Sequence, residues 1–336
     1  MSAGVSDSRA LKESALVAIS DSNYVSRCAA MIESAGADRF TTVLALDKDV
    51  ECLRYHFPDI HTVGFSAFLS DHPDANLQIA QRSASEQIFT VGPSVLLNVS
   101  ESVASNGWLV YADSDLYFFE PLQTYLESLP QCNVVIAPHR HYFWNSRRLA
   151  KYGRYNVGLV AFRKNEEGLR ALRFWAESCL EWCYDRPEDG KYADQKYLER
   201  FSSVSSGVHV DNSLGANLAP WNSFLKRISS SESGDIFVQR DKLIYFHAQG
   251  LKQKKGRWIL GHLNYLSFAG PRLKKLVYRP YLDKLEAWAE KPGFEGFGTS
   301  RAPTTLLGRF AASVTYALSL LTGQTIKVLN RRSGAQ

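Results

Sequence analysis

The stretch Trp108-Leu109-Val110-Tyr111-Ala112-Asp113-Ser114-Asp115 decides the fold of this chain, because it joins an apolar strand to a pair of carboxylates. Five consecutive apolar residues are typical of a central strand that is buried on both faces of a sheet. In open α/β sheets, ligands bind beyond the carboxyl ends of such strands. Two carboxylates two residues apart can both reach one divalent cation, which prefers oxygen ligands. We therefore predict that Asp113 and Asp115 bind a metal ion.

Short apolar runs alternate with helical patterns along the rest of the chain, and this alternation predicts an α/β fold. Strands are expected at residues 15–19, 41–46, 60–63, 133–137, 157–162 and 242–246. Helices are expected at residues 23–35, 49–55, 166–182, 194–201, 259–290 and 304–322. The region 71–107 has a mostly helical pattern that Gly92-Pro93 interrupts. The alternation indicates parallel strands joined by right-handed crossovers.

The composition is that of an ordinary soluble globular protein. Of the 336 residues, 45% are hydrophobic and 22% are charged, which is enough to bury a core without disulfides. Five cysteines without a CxxC pair argue against a disulfide framework and against a zinc knuckle, and they fit buried thiols in a reducing compartment. No apolar signal-peptide core opens the chain, and no apolar run of about 20 residues exists. We therefore expect a cytoplasmic protein without a membrane-spanning helix.

A second candidate for metal chemistry is Phe246-His247-Ala248-Gln249-Gly250-Leu251-Lys252, in which a strand again ends in a possible ligand. His247 can complete a mixed carboxylate and imidazole site, which suits Mn²⁺. Gly250 would let the backbone approach a phosphate closely, and Lys252 could neutralise charge on a leaving diphosphate. The alternative for a lone histidine is an ordinary surface side chain.

Two further clusters carry groups that can bind a sugar or a nucleotide. Asn156, Asp194 and Gln195 offer amides and a carboxylate for sugar hydroxyls, although Asp194 could instead cap the helix that it precedes. After the first strand, Asp21 and Asn23 could bind a base or a ribose, and Tyr24 could stack on the base. Loops between a strand and a helix are usually polar, so this last cluster is a weak signal when taken alone.

Taken in order, these motifs resemble those of the GT-A fold nucleotide-diphospho-sugar glycosyltransferases near family eight. The motifs are D-x-N-Y at 21–24, D-x-D at 113–115, Y-N-x-G at 155–158, D-Q at 194–195 and H-x-x-G-x-K at 247–252. The resemblance covers roughly residues 15–255. The chain is also similar to bacterial nucleotide-diphospho-sugar transferases that carry Asn217-Leu218-Ala219-Pro220-Trp221-Asn222 before the final histidine motif.

The resemblance implies a GT-A, Rossmann-like mixed sheet flanked by helices, with a helical C-terminal extension. It implies that Mn²⁺ or Mg²⁺ is bound by Asp113, Asp115 and His247. It implies that Asp21 and Asn23 lie near the nucleotide, and that a catalytic group near the transferred sugar comprises Asn156, Asp194 and Gln195. Family eight has a lysine six residues after its histidine, where this chain has Gln253. Lys252, Lys254 and Lys255 therefore all stay candidates for the contact with the diphosphate.

The predicted organisation has four parts. These are a disordered N-terminus at 1–12, the GT-A catalytic domain at 13–290, a linker at 291–303, and an amphipathic C-terminal helix with a basic tail at 304–336. Residues 251–279 contain eight Lys or Arg and no acidic residue. This stretch and the tail with Lys327, Arg331 and Arg332 predict peripheral contact through 304–332 with the cytoplasmic face of a membrane. The alternative is a terminal helix that packs on the domain.

These motifs predict a metal-dependent glycosyltransferase that moves a sugar from a nucleotide-diphosphate donor to a saccharide or lipid-linked acceptor, as in cell-surface polysaccharide synthesis. Family eight retains anomeric configuration, whereas an inverting enzyme would need a carboxylate base for the acceptor. One alternative is a nucleotidyltransferase that forms a sugar nucleotide, although residues 20–24 lack its glycine-rich loop. Another is a non-catalytic protein that binds nucleotides or nucleic acid, but the acidic clusters disfavour nucleic acid as a partner. A haloacid-type phosphatase is disfavoured because its D-x-D lies near the N-terminus.

Overall fold

A computed structural model describes residues 11–294 and 305–328 of the chain. The predicted N-terminal segment up to residue 10, the linker residues 295–303, and the tail residues Arg331 and Arg332 lie outside this part. The strands are β1 (Lys12–Ser20), β2 (Thr41–Ala45), β3 (His61–Gly64), β4 (Val103–Ala112), β5 (Leu116–Phe118), β6 (Val134–Pro138), β7 (Tyr155–Arg163), β8 (Val208–Val210), β9 (Ile228–Ser230), β10 (Ile236–Val238), β11 (Asp241–Lys242), β12 (Tyr245–His247), β13 (Lys252–Lys254), β14 (Arg257–Ile259) and β15 (Thr325–Lys327).

Helices alternate with these strands. The α-helices are α1 (Val25–Ala35), α2 (Leu53–His56), α3 (Phe65–Asp71), α4 (Pro73–Ile79), α5 (Ala84–Asn98), α6 (Leu122–Ser128), α7 (Ser146–Tyr152), α8 (Glu166–Glu181), α9 (Phe201–Val204), α10 (Pro271–Leu273), α11 (Arg279–Ala289) and α12 (Leu306–Leu321). Shorter 3₁₀ segments are Lys48–Cys52, Val99–Ser102, Phe143–Asn145, Gln195–Arg200 and Gly261–Tyr265. A short π-helix spans Lys274–Tyr278.

Seven strands of the described part form the central sheet, in the order β3-β2-β1-β4-β7-β6-β8. Strands β1 to β4 pair in parallel, and β6 pairs in parallel with β8. β7 alone runs in the opposite direction, because it is antiparallel to both β4 and β6. The predicted fold class, a mixed sheet flanked by helices, is therefore confirmed. The start of β7 meets the carboxyl ends of β4 and β6 at one edge of this sheet.

Both faces of the sheet are covered by helices, as the apolar central strands require. Adjacent residues of a strand point to opposite faces. Leu16 of β1 belongs to a core that also contains side chains of α1 and α11, whereas the next residue, Val17, belongs to a core with α5 and α8. Both side chains are fully buried. This sandwich leaves the strand ends, and not the faces, available to a ligand.

The predicted interruption at Gly92-Pro93 is wrong, because α5 continues through both residues. A Cβ at position 92 would lie 3.1 Å from Cε2 of Tyr111, so the glycine lets α5 pack closely against β4. Packing against β4 and α8 outweighs the unfavourable helix propensity of the pair. The helical region is also shorter than predicted, since β4 begins at Val103.

Part of the predicted helical region 259–290 is also wrong. α-Helical structure begins only at Pro271, after the 3₁₀ segment Gly261–Tyr265, and continues to Ala289 through the π-helix Lys274–Tyr278. Residues before it form a hairpin of β13 and β14, and β15 pairs with β14 from the far end of the chain. Pairing between segments almost 70 residues apart leaves no local pattern, which is why the strands were missed.

The C-terminal helix α12 lies largely on the surface, where Ser319 is its buried residue. Most of its apolar side chains are exposed, namely Leu306, Leu307, Phe310, Val314, Leu318, Leu320 and Leu321. After it, β15 ties the segment to the hairpin of β13 and β14. In the part of the chain that the structure covers, no helix combines the length and hydrophobicity needed to cross a bilayer.

Candidate functional site

The three predicted metal ligands lie together at the edge where β4 ends. His247 Nε2 is 3.2 Å from Asp115 Oδ1 and 3.6 Å from Asp113 Oδ2. One possible ligand atom from each residue lies within 4.8 Å of the other two. His247 and Asp115 are buried, whereas Asp113 is partly open to solvent. Two carboxylate oxygens and one imidazole nitrogen in this arrangement can bind one divalent cation.

Pairing of two sets of strands brings these residues together. The Asp113 N–H, just after β4, donates to the Gly158 carbonyl of β7 (2.9 Å). The short strand β5 follows this loop and pairs antiparallel with β12, which sets His247 opposite Leu116. His247, more than 130 residues after the carboxylates, therefore reaches them because backbone hydrogen bonds hold both segments in register.

Asn156 fixes the tautomer of His247. The Gly158 N–H donates to Asn156 Oδ1 (3.1 Å), which identifies that atom as the acceptor oxygen of the amide. His247 Nδ1 lies 3.1 Å from the same oxygen, so it carries a proton and donates it. Nε2 then faces the two carboxylates, where its proton can be donated to Asp115 in the metal-free chain and would be displaced by a metal ion. Asn156, predicted near the sugar, thus positions the imidazole and also lines the adjoining cavity.

The ionisation of the three residues is coupled. Burial raises the pKa of Asp113 to about 6, and the charge of Asp115 adds to the rise while His247 opposes it. Burial also favours a raised pKa for Asp115, but attraction to His247 and then Arg27 outweighs burial, and the pKa is lowered. Burial disfavours a charged His247, yet the two carboxylates outweigh it and raise its pKa. A divalent cation would replace the proton that this group holds.

Arg27 of α1 is a buried cation that the sequence did not reveal as part of the site. Its Nη2 donates to the Leu251 carbonyl (2.7 Å), and its guanidinium lies 4.9 Å from the ring centroid of Tyr24. Its charge helps to lower the pKa of Asp115. One arginine within a helical pattern looks like a surface residue, so no sequence signal marked it.

Two cavities meet at the metal ligands. We call the three candidate metal ligands Asp113, Asp115 and His247 the triad. Cavity A has a volume of about 410 Å³ and is lined by the triad and by Asp21, Tyr24, Gly250 and Lys252. Cavity B has a volume of about 280 Å³ and is lined by Asn156, Asp194 and Gln195. The cavities share Phe89, Asp113, His247 and Gln249. A cation held by the triad would therefore contact ligands in both cavities.

Two of the three residues that were predicted to bind the nucleotide line cavity A. Tyr24 and Asp21 line the cavity, whereas Asn23 is not on its wall. Asp21 Oδ1 accepts hydrogen bonds from the backbone N–H groups of Asn23 (3.0 Å) and Tyr24 (3.1 Å). Asp21 therefore organises the turn before α1, and the side-chain amide of Asn23 lies 3.5 Å from its Oδ2.

The lysines that follow His247 have different surroundings. Lys252 lines cavity A and lies two residues after Gly250, whose backbone has φ of +77°. Lys254 and Lys255 instead lie over the ring of Tyr316 in α12, with Nζ to centroid distances of 5.4 and 6.0 Å. Of these three candidates, Lys252 is the one on the wall of the cavity that holds the triad.

Asp194 and Gln195 lie together on the wall of cavity B. The Asp194 carbonyl accepts a hydrogen bond from Trp175 Nε1 (2.9 Å), and Gln195 Nε2 donates to the Tyr152 carbonyl (2.7 Å). Asp194 makes no capping hydrogen bond with its side chain. Burial, and then the charge of Asp113, raises the pKa of Asp194 to about 8. The preceding Ala193 has φ of +44°, a left-handed conformation that is strained for a residue with a Cβ.

Aromatic rings form much of the remaining wall of cavity B, and no sequence argument marked most of them. The rings of His139 and His141 stack with centroids 4.9 Å apart, and Trp221 lies edge-on to His139. Burial and the neighbouring His141 lower the pKa of His139 to about 3, and burial and Arg148 lower that of His141 to about 4. Both imidazoles are therefore neutral at pH 7, so a sugar ring can pack on these rings beside the charged Arg148.

The segment from Asn217 to Asn222, noted from the sequence, supports this wall. Trp221 Nε1 donates to the His139 carbonyl (2.7 Å), and Asn222 Nδ2 donates to the same carbonyl (2.9 Å). These bonds connect the segment to the end of β6. The Trp221 ring also packs edge-on against His247 at 5.2 Å. The segment therefore helps to hold the imidazole of the triad.

The chain is similar in sequence to two curated proteins. No protein-family model matches the chain. Two relatives from Bacillus subtilis (strain 168) are the uncharacterized proteins YfnD and YfnF. YfnD is 26% identical over 261 residues, which cover 74% of this chain and 80% of YfnD. YfnF is 28% identical over 179 residues, which cover 51% of this chain and 58% of YfnF.

Similar solved structures are described as glycosyltransferases. A galactosyltransferase, LgtC, in complex with donor and acceptor sugar analogs aligns with 82% of this chain and 97% of its own, at 13% identity and a TM-score of 0.47. The bifunctional glycosyltransferase WbbM aligns with 85% of this chain and 51% of its own, at 14% identity and a TM-score of 0.43. Mouse xyloside xylosyltransferase 1 aligns with 61% and 87%, at 13% identity and a TM-score of 0.39. With TM-scores below 0.5, the site itself has to carry any proposal about function.

Gly158→Ala tests the arrangement of the triad. A Cβ at this position would lie 2.6 Å from both His247 Nδ1 and Asn156 Oδ1, so the methyl group must displace the imidazole. We expect Mn²⁺ to bind at least about tenfold more weakly, the range seen when the partners of metal ligands are removed. Isothermal titration of the purified variant with Mn²⁺ measures this change.

Gly64→Ala is the matched control, since nothing lies within 4 Å of a Cβ there and its φ is −67°. This variant should bind Mn²⁺ like the unmodified protein. Unchanged Mn²⁺ affinity in a folded Gly158→Ala variant would show that the imidazole is not part of the metal site.

Mn²⁺ binding should strengthen as pH rises from 5.5 to 8. Asp113, with a pKa of about 6, and His247, with a raised pKa, hold protons at the lower pH that a cation must displace. Because the folded chain holds these protons more tightly than the unfolded chain, they stabilise the metal-free fold at low pH, and this contribution is lost as pH rises through the raised pKa values. The increase in thermal midpoint on adding Mn²⁺ should therefore be larger at pH 8 than at pH 5.5. An increase that does not depend on pH would contradict the coupled ionisation.

Proposed function

We propose that this protein is a metal-dependent glycosyltransferase that uses a nucleotide-diphosphate sugar as donor. The observation that carries the proposal is the position of Asp113, Asp115 and His247, which lie between two cavities at the carboxyl end of β4. Cavity A has an aromatic ring, a positive-φ glycine and a lysine, which suit a nucleoside diphosphate. Cavity B has neutral imidazoles, other aromatic rings and the Asp194-Gln195 pair, which suit a sugar and its acceptor. In this arrangement, a donor in cavity A and an acceptor in cavity B would both adjoin one cation.

The donor atoms favour a particular metal. Mg²⁺ prefers oxygen ligands and water, whereas an imidazole with two carboxylates suits Mn²⁺ better. Nε2 of His247 already faces the carboxylates and Nδ1 is held by Asn156, so a cation can take the place of the proton on Nε2. A bound Mn²⁺ would act as a Lewis acid that stabilises the departing diphosphate. Mn²⁺ is therefore the preferred cofactor in this proposal.

Several residues that line the two cavities then have their own proposed roles in the reaction. Tyr24 stacks on the base, and Asp21 holds the turn that presents it. Lys252 neutralises the charge that develops on the diphosphate as the bond to the sugar breaks. Gln195 has its amide nitrogen committed to the Tyr152 carbonyl, so its Oε1 remains for a donor hydroxyl group.

Asp194 is proposed to face the reacting carbon of the sugar, with retention of configuration. Burial and the charge of Asp113 keep its carboxyl group protonated at pH 7 without a metal. Positive charge beside Asp113 would remove the second of these causes, so Asp194 would ionise more readily when the site is loaded. An anionic carboxylate there stabilises an oxocarbenium-like centre.

The proposed acceptor is a saccharide, free or attached to a lipid, as in polysaccharide assembly at the cell surface. The exposed apolar side chains of α12 favour peripheral contact with the cytoplasmic face of a membrane. Lys254 and Lys255 lie beside α12 at Tyr316, where they can attract anionic headgroups. The proposed contact through 304–332 would hold the enzyme near a lipid-linked acceptor.

Hydrolysis of sugar nucleotides tests the main proposal. With Mn²⁺ and a panel of UDP-, GDP- and CDP-sugars, we expect slow release of nucleoside diphosphate from one class of donor. Asp115→Asn should abolish release and weaken Mn²⁺ binding without unfolding the chain, because it removes one anionic ligand. Asp194→Asn should keep Mn²⁺ binding but reduce kcat by about 10² to 10³-fold, the usual cost of one electrostatic contact to a transition state.

The same panel separates the alternatives. Release of pyrophosphate from a nucleoside triphosphate and a sugar phosphate would identify a nucleotidyltransferase instead. Absence of both hydrolysis and Mn²⁺-dependent nucleotide binding would refute the glycosyltransferase. Once an acceptor is found, the NMR couplings of the product anomer report stereochemistry, and inversion would make Asp194 the base.

Lys252→Gln tests the assignment of the diphosphate contact. Removal of this charge should raise KM for the donor and lower kcat, because the lysine opposes charge that grows in the transition state. Lys254→Gln is the control, since that side chain lies over Tyr316 and not in cavity A. Equal effects of the two substitutions in steady-state hydrolysis would mean that the contact is not specific to Lys252.

A further inference from the structure

A second exposed apolar surface lies next to cavity B and away from the proposed catalytic groups. It surrounds a groove of about 710 Å³ formed by residues 223–228 and 268–273. Four large apolar side chains project at or beside it, and their exposed fractions are 83% for Phe143, 74% for Leu225, 69% for Leu266 and 41% for Phe268. Apolar side chains this exposed and this close together are typical of an interaction surface. We name this surface the leucine patch.

Two of these leucines have strained backbones. Leu225 has φ of +64° and Leu266 has φ of +48°, a conformation that bulky residues rarely adopt. Strain of this kind is usually offset by burial of the side chain or by a functional contact. Both leucines face solvent within the described chain, so burial does not offset it. The strain therefore favours a partner that covers these side chains.

The charge around the patch identifies the kind of partner. Lys226, Arg227 and Arg272 line the groove, and no carboxylate is among its lining residues. The ion pairs found within the described ranges do not involve these three cations. The contributing segments 142–148, 212–231 and 251–279 contain no acidic residue at all. Apolar side chains ringed by cations match an anionic bilayer surface, in which the side chains enter the interface and the cations meet headgroup phosphates.

The patch adjoins both α12 and cavity B. The Ala269 N–H, on the groove, donates to Gln324 Oε1 (2.7 Å), three residues after α12 ends. On the other side, the ring of Trp144 lies 5.0 Å from Phe143 and 6.2 Å from Phe224, and Phe224 lies 5.8 Å from Phe268. Trp144 Nε1 donates to the carbonyl of Tyr265, whose side chain lines cavity B. A bilayer at the patch would therefore lie close to the wall of cavity B that Tyr265 forms.

We propose that the leucine patch, with Lys226, Arg227 and Arg272, docks on an anionic phospholipid bilayer. This contact extends the proposed contact of α12 to a second surface, and its test does not depend on sugar transfer. Docking through the patch presents cavity B to acceptors that are anchored in the same leaflet.

Vesicle cosedimentation of the full-length chain tests the patch. Vesicles of phosphatidylcholine with 30% phosphatidylglycerol, about as anionic as a charged leaflet, are compared with pure phosphatidylcholine. Leu225→Asn with Leu266→Asn should reduce binding to the anionic vesicles at least about fivefold, because the apolar side chains are lost. The thermal midpoint should stay the same or rise, since asparagine tolerates positive φ better than leucine. Lys226→Gln with Arg227→Gln should weaken binding at low salt.

Matched controls separate the patch from other exposed residues. Leu77→Asn, on an exposed leucine of α4 at 77% exposure, should leave vesicle binding unchanged. Leu307→Asn with Phe310→Asn reports the contribution of α12 alone. Loss of binding in this α12 variant, with wild-type binding in the Leu225 and Leu266 variant, would reject the patch and keep α12. Phe143→Ser is a second, independent test of the patch, and this variant should also bind the anionic vesicles more weakly.

Three results would overturn the proposal. The first is equal binding of the wild-type chain to neutral and anionic vesicles, or binding to neither. The second is a fall in thermal midpoint in the Leu225 and Leu266 variant, which would show that the leucines stabilise the fold. The third is a wild-type dimer in light scattering that becomes a monomer in that variant, which would make the patch an interface between two copies of the chain.

Discussion

The hydrogen bond between His247 Nδ1 and Asn156 Oδ1 is the contact on which the geometry of the site depends. It holds the Nδ1 proton at Asn156 and directs Nε2 at Asp113 and Asp115, where a metal ion would replace the second ring proton. The bond is possible only because Gly158, two residues after Asn156, has no Cβ to occupy the space of the imidazole. Asn156 is in reach because β7 alone runs against the other strands of the central sheet, so that its start lies beside the end of β4. The direction of β7 thus places Asn156 beside His247, and Asn156 determines which ring nitrogen faces the carboxylates.

Charge balance explains how three ionisable groups coexist at a buried edge. Two carboxylates in a region of low polarity would repel each other and favour a shared proton. His247 and Arg27 compensate for part of this charge, and they act mainly on Asp115, whose pKa is lowered. Asp113 remains the more easily protonated carboxylate and is the more exposed of the two. A metal ion would therefore neutralise the negative charge that His247 and Arg27 leave uncompensated. Protons compete with the metal ion mainly at Asp113 and His247.

Strand ends were the most predictable part of the molecule. An apolar run followed by Asp113 and Asp115, and another that ends at His247, predicted residues that the structure brings together, because ends of buried strands collect at one edge of a sheet. Predictions failed where distant contacts overrule local patterns. Gly92-Pro93 continues a helix because Tyr111 packs against it, and β14 lies between its hairpin partner β13 and β15, which comes from the other end of the chain. Arg27 and His139 belong to the site through tertiary contacts that leave no trace in their neighbouring residues.

The shared wall of the two cavities constrains how any ligand can use this site. Asp113, His247 and Gln249 border both cavities, so a ligand in cavity A that contacts the triad also changes the electrostatic field in cavity B. Asp194 is sensitive to this change, because the charge of Asp113 contributes to its raised pKa. Occupation of the triad by a cation would therefore make Asp194 more acidic before a sugar reaches it. Such coupling needs no movement of the backbone, since Trp175 already holds the Asp194 carbonyl in place. The charge on the Asp194 side chain in cavity B would therefore depend on whether the neighbouring cation site is filled.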